Sequence, residues 1–370
     1  MNPRRPADAQ RVRDRGAAAP GLVANLDAEE RWARLLDPSR PRPALPRRVL
    51  AALASAAEAM RILGTATSPL WSPGDGPIPA PAPGTVYWAQ TEPLGPRLPT
   101  TRGARARGTW APGKRAAAPP TGAPLRLLAA SAPAHDPRTA ARVNHRRFGL
   151  ELGRRLGLAP DGATFVGSLA EVDDAARRAP GPWVVKACLS AAGRSRYVHR
   201  PAADPHGVKG ARRRVERLLR HHGPLLYEPW EDRTDDFGVV LWVGADDHRV
   251  AALHRQGVDR EGRFLGPDSI RDAGAALSES DRRRLHRVAG WVADGLRGAG
   301  YLGPAGLDAW RHRTEHGLEL RPFGEINARF TFGWLAAVHR EVNEETRPGH
   351  DGGGLPNVSG RPRFRPVDGR

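Results

Sequence analysis

A lysine inside a predicted strand is the first feature of this sequence that suggests chemistry. Lys186 follows Trp183, Val184 and Val185, which are the aromatic and β-branched residues that favour a pleated strand. An ammonium group held at one point of a strand suits a bound anion. The same pattern also fits an ordinary strand whose lysine reaches solvent, so the neighbouring residues have to decide between the two interpretations.

The segment that follows this strand is basic and rich in small residues. It contains Ser190, Ala191, Gly193 and Arg194, and it ends at Arg196. Small residues let backbone N–H groups approach a ligand closely, and guanidinium groups add exposed donors with positive charge. Together with the lysine, this composition predicts a loop that binds a polyphosphate.

Two later strands carry carboxylates that a hairpin would bring together. Residues 306–310 and 318–330 have strand patterns on either side of a turn near His316-Gly317. If those two residues form the turn, Glu315 pairs with Leu318. Asp308 on the first strand then lies opposite Glu325 on the second. We therefore expect the two carboxylates to face the same way.

The second of these strands presents three polar side chains on one face. Glu325, Asn327 and Arg329 alternate with apolar residues, and side chains in a strand alternate faces. Two adjacent carboxylates repel unless a cation or a proton lies between them, and carboxylate and amide oxygens suit Mg²⁺. Arg329 would neutralise a transferring phosphoryl group or an acyl phosphate. The alternative is a surface ladder of ion pairs among Asp308, Glu325 and Arg329.

Taken in chain order, these pieces resemble the ATP-grasp superfamily over roughly residues 137–340. The pieces are the lysine strand, its small-residue loop, Tyr-Glu-Pro-Trp at 227–230, Gly-Tyr-Leu-Gly-Pro-Ala-Gly-Leu-Asp at 300–308 and Glu-Ile-Asn-Ala-Arg at 325–329. The resemblance implies a mixed α/β fold in which two α+β subdomains clasp ATP. We expect a small, loop-rich α/β domain ahead of them.

The resemblance implies a nucleotide site around Lys186, which would hold the α- and β-phosphates while the following loop closes over them. The Tyr-Glu-Pro-Trp strand would contact adenine, and Asp236 would bind ribose, with Glu231 or Asp235 as alternatives. One arginine of the pair Arg146–Arg147 would replace a lysine that the family often carries. The nucleotide-binding residues implied are Lys186, Ser190, Ala191, Gly193, Arg194, Tyr227, Glu228, Trp230, Asp236 and Arg147.

The resemblance also implies the metal ligands and the reaction. Asp308, Glu325 and Asn327 would bind Mg²⁺, or Mn²⁺ in its place. The expected activity is an ATP-dependent ligase that activates a small-molecule or peptide carboxylate as an acyl phosphate for attack by an amine or a thiol. A kinase on the same fold and an ATP-binding protein without activity are the alternatives. The catalytic residues implied are Arg329, Lys186 and Arg194.

The charge of the chain raises a rival of another class. The net charge is +18, and residues 101–150 concentrate arginines and lysines around one acid, Asp136. This composition is typical of nucleic-acid-binding proteins. Aromatic residues are few and do not alternate with the basic run, which argues against a surface for stacking bases. We therefore expect no nucleic-acid partner.

The cysteine content and the lack of long apolar runs predict where the protein is located, and composition along the chain predicts its domains. Cys188 is the only cysteine, so no disulfide framework is expected. No apolar run approaches the length of a membrane span, and the N-terminus lacks an apolar signal region, so we expect a cytoplasmic protein with no membrane partner. The oligomeric state stays open. The predicted units are a disordered arm at 1–25, an N-terminal domain at 26–136, an ATP-grasp domain at 137–344 and a flexible tail at 345–370.

Periodicity predicts the elements that position these groups. We expect a helix at 28–36, a strand at 85–89, a second strand at 125–130 and one continuous helix from Pro137 to about Leu156. Ser278 or Ser280 should begin a long helix that ends near Gly298.

Overall fold

The structure is a computed structural model of the 370-residue chain. It describes most of the chain from residue 136 to residue 345 and fewer positions before that. The predicted tail beyond residue 345 and the first 21 residues lie outside the described residues. The described residues are 22–24, 26–39, 47, 53, 56–63, 70–72, 86–89, 91, 123–125, 128, 136–190, 195–200, 207–266 and 269–345.

Three short parallel strands form a sheet in the first third of the described chain. Strand β1 (Leu22–Val23) precedes helix α1 (Ala28–Leu36), and it pairs with β2 (Leu70–Trp71) on one side and β3 (Val86–Tyr87) on the other. The predicted helix and the predicted strand around β3 are confirmed. The predicted arm extends too far, because β1 lies within residues 1–25 and Leu22 is buried.

This region shares a core with the opposite end of the chain. Trp32 of α1 and Met60 of a 3₁₀ helix (Glu58–Leu63) are fully buried in one apolar cluster with Trp334 and Val240. Burial of large apolar side chains is the main favourable term in folding. The first third is therefore packed against the later sheet that carries the predicted acidic residues.

The strand predicted at residues 125–130 is wrong. Leu125 and Leu128 are helical, and the Leu128 N–H donates to the Pro124 carbonyl, four residues earlier, at 3.1 Å. Both leucines are buried, which matches one face of a helical turn rather than alternation along a strand. The Glu341 carboxylate accepts from the Leu125 N–H at 2.7 Å and satisfies a donor at the start of the turn.

The single helix predicted after Pro137 is divided into two. Helix α2 (Pro137–Asn144) ends where His145 takes an extended conformation, and α3 (Arg146–Arg155) begins directly after it. The His145 imidazole accepts from the Arg147 N–H, so it caps the second helix. Apolar spacing continues across the break, which is why the periodicity did not show it.

The lysine strand lies in a four-stranded antiparallel sheet with the order β4-β7-β5-β6. Lys186 is on an inner strand, so its position is fixed by neighbours on both sides. The elements are β4 (Thr164–Val166), α4 (Leu169–Arg178), β5 (Trp183–Ala187), β6 (Arg196–His199), α5 (Gly207–His222) and β7 (Leu225–Pro229).

The acidic residues lie in a second antiparallel sheet with the order β10-β9-β8-β11-β12, and β13 pairs with β11. Ser278 caps α6 through a reciprocal capping box with Asp281, which settles the choice between the two predicted serines. The elements are β8 (Asp232–Val243), β9 (His248–Gln256), β10 (Arg271–Asp272), α6 (Glu279–Gly298), β11 (Gly303–Thr314), β12 (Gly317–Arg321), β13 (Ile326–Asn327) and α7 (Phe332–Glu345).

The two faces of this sheet have different partners. On β8, Phe237 and Val239 belong to the core that α6 covers, whereas Asp236 and Gly238 line a cavity on the other face. None of the described helices combines the length and apolar character that crossing a membrane requires. The mixed α/β fold with antiparallel sheets agrees with the prediction, and the cavity lies on the face of the large sheet opposite α6, beside the core that this face shares with the first third of the chain.

Candidate active site

One cavity brings together the two groups of residues that the sequence placed far apart. Lys186 of β5 lines it together with Asp308, Glu325, Asn327 and Arg329. Lys186 comes from the four-stranded sheet, whereas Asp308 and Asn327 come from strands β11 and β13 of the larger sheet. A ligand in this cavity would therefore contact both sheets.

The hairpin brings Asp308 opposite Glu325 by a different route from the one predicted. Thr314 pairs with Gly317, so the turn is Glu315-His316 and the predicted pairing of Glu315 with Leu318 is wrong. After β12 the chain stops pairing with β11, and it pairs with β11 again as β13. The β11–β13 register is shifted by two residues from the β11–β12 register. The Asp308 N–H donates to the Glu325 carbonyl at 2.9 Å, so the two residues do face each other.

The two carboxylates differ in electrostatic surroundings. Burial, with the nearby Glu325 and Asp236 carboxylates, raises the pKa of Asp308 to about 7. Burial also opposes the charge on Glu325, but the Arg146 and Lys186 cations outweigh it and hold the Glu325 pKa below its usual value. Arg146 donates to both oxygens of Glu325 at 2.8 Å. The Arg233 and Arg329 cations act on the Asp308 pKa in the opposite direction, but they do not outweigh burial and the two neighbouring carboxylates.

The donor set fits a hard divalent cation that also binds a phosphate. Two carboxylates and the Asn327 amide can supply oxygen ligands. The Asn327 amide nitrogen donates to Asp308 at 3.4 Å, and its oxygen accepts from Arg329 at 3.1 Å. Within the described part of the chain, no three His, Cys, Asp or Glu side chains cluster closely enough to hold a metal by themselves. Mg²⁺ is commonly held by one or two carboxylates together with substrate phosphates, so the residues present fit it.

Lys186 is buried and paired with Glu228 on the neighbouring strand β7. Burial lowers the pKa of Lys186, and the Arg233 and Arg146 cations add to this, while Glu228 acts in the opposite direction. The sequence predicted Glu228 at the adenine edge. In the structure its carboxylate pairs with the lysine, because the two residues lie on adjacent strands near the same end of the sheet, and its contact with adenine stays a prediction.

Two arginines that line the cavity with Lys186 have buried hydrogen-bond donors. The Nε and Nη2 atoms of Arg196 and the Nε atom of Arg233 are buried without a hydrogen-bond partner among the described residues. Burial, with the Arg233 cation, lowers the pKa of Arg196 to about 10. Buried charged donors are expected to be paired, so these atoms fit an anionic ligand such as a polyphosphate.

The structure selects between the alternatives that the sequence left open. Arg146 lines the cavity, whereas the Arg147 guanidinium stacks over the Phe165 ring at 4.4 Å, so the prediction of Arg147 is wrong in placement. Neighbouring helical positions point about 100° apart, and only one of the two can face inward. Among the three acids proposed for ribose, Asp236 is the one that lines the cavity.

The other two acids are engaged elsewhere. Glu231 accepts from Arg321 and from the Trp310 indole, and Asp235 pairs with Arg255 at 2.6 Å. Both carboxylates therefore stabilise the sheet rather than the cavity.

The predicted adenine strand and loop are placed only in part. The Tyr227 ring is buried in the core of the four-stranded sheet, 5.6 Å from the Trp183 ring, so its side chain faces away from the cavity. The Trp230 ring contacts the Arg196 and Arg233 guanidinium groups. The hydroxyl of Ser190 accepts from Arg146 at 2.9 Å. The other predicted residues of the loop, Ala191, Gly193 and Arg194, lie outside the described residues.

Sequence reasoning missed two groups that the fold brings to the cavity. Glu29 of α1 accepts from Arg329 at 2.8 Å. His254 of β9 lies directly across from Gly238, and a Cβ atom on Gly238 or on Gly333 would lie 2.3 Å from its ring. Glycine at both positions leaves room for the imidazole. No local motif marks either group, because each contact joins segments distant in the chain.

The His254 imidazole is a neutral group on the cavity. Burial, with the Arg340 cation, lowers its pKa to about 4. Its Nδ1 atom is buried without a hydrogen-bond partner among the described residues. At neutral pH the ring therefore presents no charge to a ligand.

Comparisons with known proteins find partial similarity to solved structures. No family model matches the sequence, and no curated protein matches it. Solved structures do match the fold, and they include N5-carboxyaminoimidazole synthetase from Staphylococcus aureus complexed with ADP, with 11% identity and a TM-score of 0.39. Biotin carboxylase from Campylobacter jejuni, in complex with an ATP ligand, matches with 14% identity and a TM-score of 0.45. These structures are ATP-grasp enzymes.

Further ATP-grasp structures match to a similar extent. D-alanyl-alanine synthetase A from Vibrio cholerae has 12% identity and a TM-score of 0.41, with 59% of this chain and 72% of that chain covered. The match to N5-carboxyaminoimidazole synthetase covers 53% of this chain and 47% of that chain. The match to biotin carboxylase covers 61% of this chain and 49% of that chain. The chain thus spans about half the length of the first ATP-grasp structures that it matches.

Proposed function

We propose that this protein is an ATP- and Mg²⁺-dependent ligase that activates a carboxylate as an acyl phosphate. The observation that carries the proposal is the shared cavity of Lys186 and the Asp308–Glu325–Asn327 group. A polyphosphate needs cations and hydrogen-bond donors on one side and a metal site on the other. The cavity offers both, and Arg329 lies beside the metal ligands to face the reacting group.

Each residue has a defined part in the proposed reaction. Lys186, Arg196 and Arg233 would bind the phosphates. Asp308, Glu325 and Asn327 would hold Mg²⁺, which when bound neutralises phosphate charge.

The substrate carboxylate oxygen would bond to the γ-phosphorus as the bond to ADP breaks. The amine nitrogen would then bond to the acyl carbon as phosphate leaves and the nitrogen loses a proton. Positioning and charge neutralisation carry this chemistry, so no covalent protein intermediate is required.

A trapping experiment tests the proposal with hydroxylamine in place of the natural nucleophile. The protein is incubated with Mg-ATP, a panel of carboxylic acids and hydroxylamine, which converts an acyl phosphate to a hydroxamate. We expect ADP and hydroxamate to form in equal amounts with at least one acid. ADP formed without hydroxamate, with the phosphoryl group transferred to a hydroxyl of the substrate, would instead indicate a kinase. No ADP with any acid would contradict the ligase.

The Glu325→Gln variant tests the metal assignment in the same assay. Loss of one carboxylate from a two-carboxylate site should lower turnover by about 100-fold or more while some ATP affinity remains. Glu319→Gln is the matched control, because Glu319 is exposed on β12 and does not line the cavity. Unchanged turnover in Glu325→Gln would overturn the assignment of Glu325 as a ligand.

A further inference from the structure

One end of the cavity, where Arg329 also donates to the predicted metal ligand Asn327 at 3.1 Å, holds a buried ion pair between distant parts of the chain. The Arg329 guanidinium donates to Glu29 of α1 through Nε at 2.9 Å and through Nη2 at 2.8 Å. The two side chains are only 10% and 13% exposed. A buried ion pair contributes little net stability, because both charges lose water when they are buried. Its place on a cavity wall suggests that it serves a ligand.

The wall beside this ion pair is apolar and aromatic. The Phe332 ring lies 5.1 Å from the Trp88 ring and stacks on the Phe264 ring at 5.9 Å, and all three line the cavity. Leu26 and Leu53 extend the apolar surface. The Trp88 carbonyl accepts from the Phe330 N–H at 3.1 Å, so the wall is joined to the residue that follows Arg329. A ligand that reaches Arg329 therefore has apolar surface beside it.

We propose that this end of the cavity binds the zwitterion of an amino acid with a large apolar side chain, as the carboxylate substrate of the proposed ligase. The α-carboxylate would pair with Arg329, and the α-ammonium would pair with Glu29. The side chain would lie against Trp88, Phe264 and Phe332. This inference rests on the proposed function for the fate of the carboxylate, but the binding site itself does not require ATP.

Charge balance is the physical reason for the amino group. When a zwitterion replaces the contact between Arg329 and Glu29, its carboxylate pairs with Arg329 and its ammonium group pairs with Glu29, so no buried charge is left without a partner. A simple carboxylic acid would take Arg329 and leave Glu29 buried and unpaired beside a second negative charge. Leaving a buried charge without its partner is strongly unfavourable. The site should therefore distinguish an amino acid from the same acid without its amino group.

Calorimetric titration of the nucleotide-free protein tests the inference. The ligands are L- and D-phenylalanine, 3-phenylpropanoate, which lacks the amino group, and glycine, which lacks the side chain. We expect one enantiomer of phenylalanine to bind at least about tenfold more tightly than 3-phenylpropanoate, the size expected for one charge-assisted hydrogen bond. Glycine should bind at least about tenfold more weakly, because it buries no aromatic side chain.

Two variants separate the two parts of the site. Glu29→Gln should reduce the preference for phenylalanine over 3-phenylpropanoate, and Trp88→Ala should reduce the preference over glycine. Glu30→Gln is the matched control for Glu29, since it changes a carboxylate in the same helical turn that does not line the cavity. The wild-type comparison needs no variant, so it holds even if a variant fails to fold.

The outcomes distinguish this inference from the ligase proposal. Equal affinity for phenylalanine and 3-phenylpropanoate, or no binding of either enantiomer, would overturn the amino-acid site. A Glu29→Gln variant that folds and keeps the full preference would overturn it as well. Hydroxamate formed from other acids would leave the ligase in place in each of those cases. Phenylalanine binding without any turnover of Mg-ATP would support the site and contradict the ligase.

Discussion

The arginines at the two ends of the cavity differ in how their donors are used. At the end where the two sheets meet, Arg196 of β6 and Arg233 of β8 keep buried donors without partners among the described residues, although another nitrogen of Arg233 donates to Asp236 at 3.0 Å. At the aromatic end, Arg329 is already paired with Glu29. Buried donor atoms without partners suit a ligand that brings several negative charges, whereas a paired cation suits a ligand with no net charge. The difference supports the proposal that the nucleotide and the carboxylate substrate bind at different ends of the cavity.

The two ends also differ in how they are built. At the charged end, Lys186, Arg233 and Asp308 stand on the inner strands β5, β8 and β11, which are hydrogen-bonded to neighbours on both sides, and Arg196 stands on the edge strand β6. The aromatic end is assembled from α1, from Trp88 just after β3, and from the start of α7. Strands give precise positions, and connecting segments allow the shape of a pocket to vary. We infer that the phosphate chemistry is fixed by the sheets and that substrate choice depends on the first third of the chain.

The largest effect that separates the two ends is expected from Arg196→Met. Removing a buried cation with two unpaired donors should weaken Mg-ATP binding by about 10- to 100-fold, as charge-assisted hydrogen bonds of this kind do. Phenylalanine affinity should not change, because Arg196 belongs to the other end. Calorimetric titration of each ligand measures both.

Arg200→Met is the matched control for Arg196. Its guanidinium also lies over the Trp230 ring, at 5.4 Å, but it does not line the cavity. ATP affinity should therefore stay at the wild-type value. Equal losses of affinity in the two variants, or a parallel loss of phenylalanine binding in Arg196→Met, would show that the ends are not separate.

A smaller effect is expected from His254, the neutral group on the cavity. Its pKa is about 4 in the folded protein against 6.5 for an unperturbed histidine, so the unfolded chain binds more protons between those values. The free energy of unfolding is therefore unaffected by the protonation of His254 well above pH 6.5, and it decreases as the pH falls from 6.5 toward 4. By linkage, His254 should account for about 2 kcal/mol of stability lost between pH 7.5 and pH 5.

Urea unfolding of wild type and His254→Gln at the two pH values measures this contribution. The variant should lose less stability on acidification than the wild type. His316→Gln is the control, because His316 is exposed in the β11–β12 turn. Part of the acid sensitivity should remain in the variant, since burial also lowers the pKa of His145 to about 4. An unchanged pH dependence in His254→Gln would mean that the histidine is not held neutral by its surroundings.

The sequence was sufficient for features that depend on local pattern. Alternation along one strand put Glu325, Asn327 and Arg329 on one face, and it separated them from the buried Ile326 and Phe330. A valine-rich strand located Lys186 in the same way. These predictions rest on periods of two residues, which the backbone imposes wherever a strand forms.

The sequence was insufficient where a position depends on contacts between distant segments. Glu29 and Arg329 are 300 residues apart, and no spacing rule connects them. The choice of Arg146 over Arg147 depended on the break in the helix at His145, which apolar periodicity did not show. The opposition of Asp308 and Glu325 was predicted with the wrong turn, because the chain leaves the ladder between β12 and β13.

The central claim, that Lys186 and the acidic group share one nucleotide, is tested most directly by nucleotide binding. The measurement is calorimetric titration with the Mg²⁺ complex of a non-hydrolysable ATP analogue. The variant is the double substitution Lys186→Met and Glu228→Gln, because Lys186→Met alone would leave Glu228 buried and unpaired. We predict binding by the wild type and at least a tenfold loss in the double variant with its unfolding temperature preserved. No binding by the wild type, or equal binding by both proteins, would contradict the account.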